Sequence, residues 1–424
     1  MDNRKTIQSI LDYIENNLKT EINMDELCDM AGYSYVHFCR LFSHYAGLSP
    51  CEYITRRRLI HAVYDMSKGT TKVDIALSYG FETYAGFYKA FKREFNCSPS
   101  EFIKSYKSEK PYKINILQEE QIMISKNKIQ KLLSYWNLQN KNVSNIFNEN
   151  TGRQSENAYY IGEEYVIKFS ANYGSIKNSI SITNSLAKSG LPVAEIIKTA
   201  NESDYLQVGE LYFVVTKRIK GSQLKCEDIF KNIIIAYQIG KNIAKLHNAL
   251  KTFDESNYKK SGILNDVKSA LPKVQNLVNL NDDFLKNFSI IYDKLPMQII
   301  HRDINPSNMI FDEGEFKGFI DFDLTEVNIR IFDICYCATA ILSECFNNSN
   351  IDKSKWLEIL DNLVKGYESI TPLSEYEKQA LPYVIYSIQI ICIAYFSQFD
   401  KFNNLTKINM DMLKWIIDEL KVKM

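Results

Sequence analysis

The sequence predicts a multidomain protein in which an all-α domain comes first and an α+β domain, with a small β-rich lobe and a helical lobe, follows. Its 424 residues exceed what one ordinary hydrophobic core accommodates. Up to about residue 106, apolar side chains recur only at helical spacing, and strand-like segments then appear at 158–161, 165–169 and 211–219. We expect the first domain at residues 1–108, a connector at 109–124 and the second domain at 125–424.

Charge and composition are those of a globular protein without a dominant electrostatic field. The chain has 51 basic and 51 acidic residues, so contact with a polyanion must come from local clusters. The first residues lack the apolar segment of a signal peptide, and the longest apolar stretch, around 383–396, is too short to span a membrane and contains Gln389. The nine cysteines are scattered, which favours reduced thiols, with Cys335 and Cys337 buried. We therefore expect a cytoplasmic protein with no membrane partner.

An internal repeat organises the first domain. One copy reads AGYSYVHFCRLFSHYAGLSPCEYI from Ala31, and the other reads SYGFETYAGFYKAFKREFNCSPSEFI from Ser78. Each contains a glycine turn (Gly32 and Gly80), an amphipathic helix and a Ser-Pro pair suited to starting the next helix. A helix, a glycine turn and a second helix is the helix-turn-helix plan, and two copies predict two recognition helices on one face of DNA.

These landmarks resemble the AraC/XylS family of transcriptional regulators over about 100 residues, most closely in the second copy. The resemblance implies a double helix-turn-helix domain that binds double-stranded promoter DNA, with recognition helices at about 35–45 and 83–95. The positions that align with the family's base-reading residues are Val36, Cys39, Arg40, Tyr84, Ala85, Tyr88 and Lys89. Arg and Lys suit guanine edges, whereas Val and Ala suit the thymine methyl group.

Basic residues near these helices are candidates for phosphate contacts, which position a protein on DNA without reading its sequence. They are Arg57, in the basic run 56–58, together with Lys92 and Arg93. A solvated helix face is the alternative explanation for the run.

The second domain contains the segment IIHRDINPSNMIFDEGEFKGFIDFD. Asn308 follows Asp303 by five residues, and Asp321 follows Asn308 by thirteen. Phosphoryl transfer requires a carboxylate that orients the attacking hydroxyl and accepts its proton, and hard oxygen ligands that hold Mg²⁺ against the ATP phosphates. These three side chains supply that set.

The segment looks like that of the aminoglycoside phosphotransferase and choline kinase superfamily, a relative of the protein kinases, over roughly residues 125–400. The resemblance implies a protein-kinase-like phosphotransferase domain, with Asp303 as the catalytic base and Asn308 and Asp321 as metal ligands. Asp333 would brace the catalytic loop, and His301 would organise it. ATP and Mg²⁺ are the implied cofactors, and a small molecule is the implied phosphate acceptor.

The resemblance also implies nucleotide contacts earlier in the domain. Gly152 and Ser155 lie in a loop that would cover the phosphates, and Lys168 on the next strand would hold them. Lys217 and Ile219 lie in a stretch that resembles the hinge, where backbone groups would meet adenine.

One departure from the family bears on activity, because Ser179 occupies the place where the family usually carries a Glu. Three hypotheses remain: a regulator with a working small-molecule kinase, a pure regulator whose kinase-like domain senses a ligand or nucleotide, and a kinase with a helical interaction module. Asp323 and Glu326 would suit a cationic amine, and a solvated surface explains them equally well. The acceptor and the oligomeric state stay open.

Overall fold

The computed structural model describes residues 2–69, 71–105, 110–117, 124–148, 154–274, 283–399 and 402–420. The chain forms two compact units. The first comprises Met1–Ala171 with Ile197–Thr216, and the second comprises Asn172–Ile196 with Lys217–Met424. The first unit therefore contains the all-α domain and the β-rich lobe, although the sequence predicts that this lobe belongs to the same domain as the helical lobe.

Helices build the all-α domain, as predicted. They are α1 (Asn3–Asn16), α2 (Met24–Ala31), α3 (Tyr35–Ala46), α4 (Pro50–Met66), α5 (Lys72–Ser78), α6 (Tyr84–Phe95) and α7 (Pro99–Ser105). Helices α3 and α6 coincide with the two predicted recognition helices to within one residue at each end.

The repeated glycines and Ser-Pro pairs set the helix boundaries. Gly32 and Gly80 have φ angles of 70° and 76°, which residues with a Cβ rarely adopt, and they form the turns before α3 and α6. Ser49 begins α4 with a capping box: its hydroxyl accepts from the Glu52 amide, and the Glu52 carboxylate accepts from the Ser49 amide at 3.1 Å. The second Ser-Pro pair repeats this arrangement with Glu101 at α7.

Phenylalanines bury one face of each recognition helix. Phe38 and Phe42 of α3, and Phe87 and Phe91 of α6, are all 0% exposed. Burying one such side chain contributes about 1.5–3 kcal/mol, so this face fixes the rotation of each helix about its axis. The opposite faces of α3 and α6 consequently lie in solvent.

The β-rich lobe begins with α8 (Lys126–Leu132) and contains one sheet. Its strands are β1 (Val143–Phe147), β2 (Gln154–Ile161), β3 (Tyr165–Ser170), β4 (Ile196–Ile197), β5 (Leu206–Val208) and β6 (Leu211–Lys217). The strand order is β1-β2-β3-β6-β4, and β5 pairs with β6. Antiparallel pairing places Ala158 of β2 opposite Lys168 of β3.

Helices dominate the second unit, with short strands around the segment that contains Asp303. Its described helices are α9 (Tyr173–Lys188), α10 (Cys226–Lys231), α11 (Ile234–Leu250), α12 (Ile263–Val274), α13 (Asp283–Tyr292), α14 (Ile331–Cys345), α15 (Trp356–Glu368), α16 (Glu375–Phe396) and α17 (Asn403–Leu420). Its further strands are β7 (Ser222–Gln223), β8 (Met297–Ile300), β9 (Met309–Asp312), β10 (Glu315–Phe319) and β11 (Glu326–Ile329).

Two glycines allow α11 and α15 to cross closely. A Cβ on Gly240 would lie 2.0 Å from the backbone oxygen of Leu363, and a Cβ on Gly366 would lie 2.0 Å from that of Tyr237. A side chain at either glycine would force the helices apart. The close crossing fixes α11, which carries the buried His247 behind the catalytic segment.

By length and composition, α16 is apolar enough to cross a membrane, contrary to the expectation that no stretch reaches that length. The apolar residues on both sides of Gln389 form one continuous helix, which explains the difference. Val384, Ile385 and Ile390 of this helix are 0% exposed in the core of the second unit, as in the core helix of a globular protein.

Packing of α10 on α14 brings together two cysteines that are 119 residues apart. Cys226 and Cys345 form a disulfide, so the expectation of reduced thiols is wrong for this pair. Cys335 and Cys337 are 0% exposed, as predicted.

Candidate functional site

The solvent face of α3 carries the three positions predicted to read bases in the first repeat. Val36 is 60% exposed, Arg40 is exposed and Cys39 is half-buried. Their spacing of three and four residues puts them on one side of the helix, opposite Phe38 and Phe42.

The solvent face of α6 carries the corresponding positions of the second repeat. Ala85, Tyr88 and Lys89 are exposed, and Tyr84 is half-buried with its ring 5.9 Å from that of Phe87. One helical turn further on, the side chains of Lys92 and Arg93 are also exposed. Both predicted reading surfaces are thus open to a partner.

Arg57 is not on this surface, and the prediction that it contacts phosphate is wrong. Its side chain is 6% exposed and donates two hydrogen bonds to Glu15 of α1, at 2.5 and 2.9 Å. A third hydrogen bond runs to the backbone oxygen of Tyr112 at 2.5 Å. Because these partners lie in α1 and in the connector, Arg57 holds α4 to α1 and to the connector instead of binding DNA.

The flanking arginines of the same run also bind within the protein. Arg56 forms an ion pair with Glu94 at 3.5 Å. Arg58 donates to the backbone oxygens of Leu18 and Thr20 at 3.0 and 2.8 Å. The solvated-face explanation for residues 56–58 therefore fails as well.

In the second unit, Asp333 braces the loop that follows β8. Its carboxylate accepts from the backbone amides of His301 and Arg302 at 2.9 and 2.8 Å. Behind it, His247 Nε2 lies 2.9 Å from Asp333 Oδ2, and His247 Nδ1 lies 2.9 Å from the Tyr367 hydroxyl. Asp333 is 0% exposed, and the hydrogen bonds to both of its carboxylate oxygens fix the loop conformation.

His301 organises the same loop from inside. It is 0% exposed, and its Nε2 lies 3.1 Å from the backbone oxygen of Ile320. Its Nδ1 accepts from the backbone amide of Asp303 at 3.3 Å. Both ring nitrogens are engaged by the backbone, which agrees with a positioning role for this histidine.

Three side chains hold the carboxylate of Asp303. Oδ1 accepts from Asn305 Nδ2 at 3.0 Å and from the Tyr336 hydroxyl at 2.9 Å. Oδ2 accepts from Asn308 Nδ2 at 2.9 Å. A carboxylate has about four acceptor positions, so these bonds fix its orientation and leave room for one more donor, such as a substrate hydroxyl.

Asn308 and Asp321 are brought together by the backbone. The amide of Ile320, just before Asp321, donates to the backbone oxygen of Asn308 at 3.0 Å. Asp321 is exposed and has a φ of 68°, an unusual conformation for a residue with a side chain. The sequence-predicted triplet of Asp303, Asn308 and Asp321 therefore lies in one place.

The surroundings of Asp303 shift its acidity. Burial raises the pKa of its carboxyl above the ordinary value, and the negative charge of Asp321 adds to the rise. Interaction with His301 and the hydrogen bond from Tyr336 oppose this rise without cancelling it. A raised pKa brings a carboxylate closer to the range in which it accepts a proton from a hydroxyl.

The donor set fits a hard divalent cation. Asn308 donates to Asp303 through Nδ2, so its amide oxygen is the atom left for a cation, and Asp321 adds an exposed carboxylate. Mg²⁺ takes oxygen ligands and usually retains several waters, so an amide and a carboxylate suffice on the protein side.

The predicted nucleotide residues lie on several elements. Lys168 is half-buried on β3, and Ser155 on β2 donates to Asn157 at 3.5 Å, whereas Gly152 lies outside the described residues. The Lys217 amide donates to the backbone oxygen of Glu195 at 2.7 Å, so a nucleotide could use only other backbone groups of this stretch.

Ile219 packs against β10. A Cβ on Gly318 would lie 2.8 Å from Ile219 Cδ1, so the glycine makes room for this side chain. In the same unit, α9 contains Ser179 and no Asp or Glu anywhere along its length.

Of the two acids considered for a cationic amine, Glu326 is excluded. It is 2% exposed and accepts from Arg302 Nη1 and the Ser261 hydroxyl, both at 2.6 Å. Asp323 is half-buried, and its backbone oxygen accepts from the Ser175 hydroxyl of α9 at 3.0 Å.

Two contacts of Asp303 were missed in the sequence. Asn305 lies only two residues after Asp303 in the motif, and this short separation was a signal that its side-chain amide could bond the Asp303 carboxylate. Tyr336 lies on α14, 33 residues away, and no sequence signal connects it to the motif.

Both halves of the chain are similar to known proteins. A family model described as a helix-turn-helix domain matches residues 27–105, and one described as a phosphotransferase enzyme family matches residues 147–377. The probable transcription factor PqrA of Proteus vulgaris is 35% identical over 99 residues, covering 23% of this chain and 81% of that protein. The HTH-type transcriptional activator AarP of Providencia stuartii is 37% identical over 95 residues, covering 22% of this chain and 70% of that protein.

The second half has its own relatives. The homoserine kinase of Phenylobacterium zucineum (strain HLK1) is 30% identical over 159 residues, covering 34% of this chain and 46% of that enzyme. Among solved structures, amicoumacin kinase hAmiN in complex with AMP-PNP, Ca²⁺ and Ami has a TM-score of 0.52 at 16% identity, covering 65% of this chain and 88% of that one. The microcompartment-associated aminopropanol kinase has a TM-score of 0.51 at 13% identity, covering 68% of this chain and 94% of that one.

The two structural likenesses establish the kinase-like fold, and the family matches extend over both predicted domains. The chain therefore belongs to the phosphotransferase enzyme family and, through its first domain, to the AraC-type helix-turn-helix regulators that bind DNA.

Proposed function

We propose that this DNA-binding regulator is also a working kinase, which transfers the terminal phosphoryl group of Mg²⁺-ATP to a hydroxyl group of a small molecule. The observation that supports it is the hydrogen-bonded arrangement of Asp303 with Asn308, tied through Ile320 to Asp321. Phosphoryl transfer depends on positioning and charge stabilisation, and this arrangement provides a base and two oxygen ligands in one place.

Asp303 acts as the catalytic base. It accepts the proton of the acceptor hydroxyl while the hydroxyl oxygen forms a bond to the terminal phosphorus and the bond to ADP breaks, so the products are a phosphate monoester and ADP. Hydrogen bonds from Asn305, Asn308 and Tyr336 keep the carboxylate in one orientation during this step. General base catalysis of this kind contributes roughly 10²- to 10⁴-fold to the rate.

Asn308 and Asp321 would hold Mg²⁺, which would neutralise negative charge on the ATP phosphates. Asp333 acts one step further away, because it fixes the backbone of the loop through His301 and Arg302. Lys168 is the residue assigned to the ATP phosphates, with Ser155, Gly152 and the backbone of Lys217 and Ile219 as the further nucleotide contacts.

We infer a small hydroxyl-bearing amine as the acceptor class. The similarity to a homoserine kinase covers less than half of that enzyme's length, and its name denotes an amino acid substrate with a hydroxyl group. Asp323 is the remaining candidate for the amine, since Glu326 is engaged by Arg302.

The DNA-binding half reads a promoter with α3 and α6. Arg40 and Lys89 are the proposed readers of guanine, and the exposed Lys92 and Arg93 are the proposed phosphate contacts. The cell compartment proposed for this activity is the cytoplasm, where both promoter DNA and ATP are present.

A second candidate function is a pure regulator in which the kinase-like domain binds nucleotide or ligand without turnover. The absence of any acid along α9 favours it, because Lys168 then cannot form the ion pair from this helix that the family uses. Its prediction is nucleotide binding without formation of ADP.

Two experiments test the proposal. A thermal-shift screen of amino alcohols, hydroxy amino acids, sugars and aminoglycosides, with and without Mg²⁺-ATP, identifies acceptors because a ligand of the folded state raises its stability. Incubation of each hit with Mg²⁺-ATP should yield ADP and a phosphate ester, and a chain that binds nucleotide but forms neither product with any hit would instead be the sensor. Salt-sensitive binding to DNA duplexes selected by the chain from a random library tests the regulator half.

A further inference from the structure

The C-terminal end of α6 is held by side chains of the β-rich lobe, which belongs to the same compact unit. Asn145 of β1 donates from Nδ2 to the backbone oxygen of Glu94 at 2.7 Å. Lys126, at the start of α8, donates to the same oxygen and to that of Arg93, the latter at 3.3 Å. The last carbonyls of a helix lack partners within it, and a cation beside them also interacts favourably with the helix dipole. The lobe thus caps the DNA-reading helix.

Aromatic packing reinforces this junction. The ring of Phe147, the last residue of β1, lies 6.2 Å from that of Phe95 in α6 and 5.2 Å from that of Phe102 in α7. Phe95 and Phe102 also contact each other, with ring centroids 5.3 Å apart. Strand β1 is therefore packed against both α6 and α7, close to the turn that joins these two helices.

An arginine of α4 extends the junction to β2. Arg56 forms an ion pair with Glu94 at 3.5 Å and interacts electrostatically with Tyr159, which is 1% exposed. The side chains of Arg56 and Glu94 are 14% and 26% exposed, so water screens this ion pair only in part, and moving one member disturbs the other. The last turn of α6 and the middle of the sheet consequently share polar contacts.

A cross-strand row connects this junction to the lysine assigned to the nucleotide. Asn145 of β1 lies opposite Tyr159 of β2, and Tyr159 lies opposite Ile167 of β3, the neighbour of Lys168. The path from Lys168 to Glu94 therefore runs across the paired strands β3, β2 and β1 and then through the hydrogen bond from Asn145 to the backbone oxygen of Glu94. Such a short continuous path can carry a change in position from the lobe to the helix.

The described part of the connector also binds to α1 and α4 of the all-α domain. The Gln8 side chain of α1 donates to the backbone oxygen of Ile114 at 3.0 Å and accepts from the amide of Ile116 at 2.7 Å. Arg57 donates to the backbone oxygen of Tyr112. The β-rich lobe is thus joined to the DNA-binding domain in two ways: directly through α6 and α7, and through the connector, which bonds to α1 and α4.

We infer that a nucleoside triphosphate with Mg²⁺, bound to the β-rich lobe, is an effector that changes the affinity of α3 and α6 for DNA. The inference rests on the proposed function, because it takes Lys168 as the residue that holds the nucleotide's phosphates. The signal passes through Asn145 and Lys126 to the end of α6. Coupling between two ligands is reciprocal, so DNA must change nucleotide affinity by the same factor.

The experiment measures both affinities on the full chain. Fluorescence anisotropy gives the Kd for a duplex selected from a random library, with and without saturating Mg²⁺-AMP-PNP, and calorimetry gives the Kd for AMP-PNP with and without that duplex. We expect each Kd to change by the same factor, about fivefold or more, which is the lower end of typical coupling.

Two variants cut the path without touching either ligand. Asn145→Ala and Lys126→Met should bring the coupling factor close to one, whatever change each makes to the Kd for DNA alone, and the circular dichroism spectrum of each variant shows that the chain is folded. Ser144→Ala and Lys131→Met are matched controls on the same strand and helix, and they should keep the wild-type factor.

Each outcome decides the question. Equal binding of DNA with and without AMP-PNP, in a chain that binds both, would overturn the inference and leave the proposed function standing. Coupling that survives in Asn145→Ala and Lys126→Met would overturn the path through α6. A wild-type chain that does not bind AMP-PNP would refute the proposed kinase function and the inference with it.

Discussion

Asn308 donates from the same side-chain nitrogen to the carboxylate Oδ2 and the backbone oxygen of Asp303, each at 2.9 Å. The residue proposed to bind the cation therefore also fixes the residue proposed to accept the proton. A change at Asn308 should affect both the metal dependence and the rate of the reaction.

Asn308→Ala should lower kcat by about 100-fold, because a metal ligand contributes several kcal/mol of charge stabilisation in the transition state. The Mg²⁺ concentration for half-maximal rate should rise at the same time. Titration of Mg²⁺ at saturating ATP checks this, with the exposed Asn350→Ala as the control. An unchanged Mg²⁺ requirement would show that Asn308 is not a metal ligand.

Arg40→Ala and Lys89→Ala should each weaken binding to the selected DNA duplex by about 1–3 kcal/mol and relax sequence preference at the contacted base. Both side chains are exposed on the faces of α3 and α6 opposite the buried phenylalanines. Anisotropy titrations with the selected duplex and single-base variants measure the effect. Lys5→Ala on α1 is the control, and an equal loss for Lys5→Ala would contradict a specific role.

Arg57→Ala should destabilise the DNA-binding domain by about 3–5 kcal/mol, because it leaves the Glu15 carboxylate buried without the guanidinium that pairs with it. Below the unfolding transition, the salt dependence of DNA binding should remain that of the wild type. Lys92→Ala should show the reverse behaviour, with wild-type stability and a salt slope reduced by about 1. Denaturant unfolding and binding titrations at several salt concentrations distinguish the two roles. A reduced salt slope in Arg57→Ala as well as in Lys92→Ala would contradict this distinction.

Glu15 makes the stability of this domain dependent on pH. Burial acts to raise its pKa, but hydrogen bonds from His61 and Arg57 outweigh it and lower the pKa to about 2. Since the folded pKa lies below the ordinary value of 4.5, the stabilisation is complete above that value and disappears as pH falls towards 2. The free energy of unfolding of the wild type should therefore exceed that of Glu15→Gln by about 3 kcal/mol near neutral pH. This difference should shrink as the pH falls from 4.5 towards 2. A difference that is constant between pH 6 and pH 2.5 would contradict this account.

The features that the sequence predicted well are local ones. The glycine turns and Ser-Pro pairs of the repeat act on neighbouring residues, so α3 and α6 lie where the pattern places them. The same holds for Asp303 and Asn308, which are five residues apart in one loop. Local spacing was enough because a turn or a loop is determined mainly by its own residues.

The failures concern partners that are distant in the sequence. Arg57 finds Glu15 from 42 residues away, and helical periodicity does not reveal which polar face packs against another helix. Cys226 and Cys345 meet only because α10 packs on α14. The junction between α6 and β1 likewise depends on tertiary packing, and a boundary drawn near residue 108 from composition gives no hint of it.

The central claim, that the second domain still transfers phosphate, is tested most directly by the initial rate of ADP formation with an acceptor from the ligand screen, in wild type and in Asp303→Asn. Asp312→Asn, an exposed acid at the end of β9, is the matched control. The account predicts that Asp303→Asn loses roughly 10²- to 10⁴-fold in rate while Asp312→Asn keeps the wild-type rate. Equal rates in wild type and Asp303→Asn would contradict it and leave the domain as a sensor.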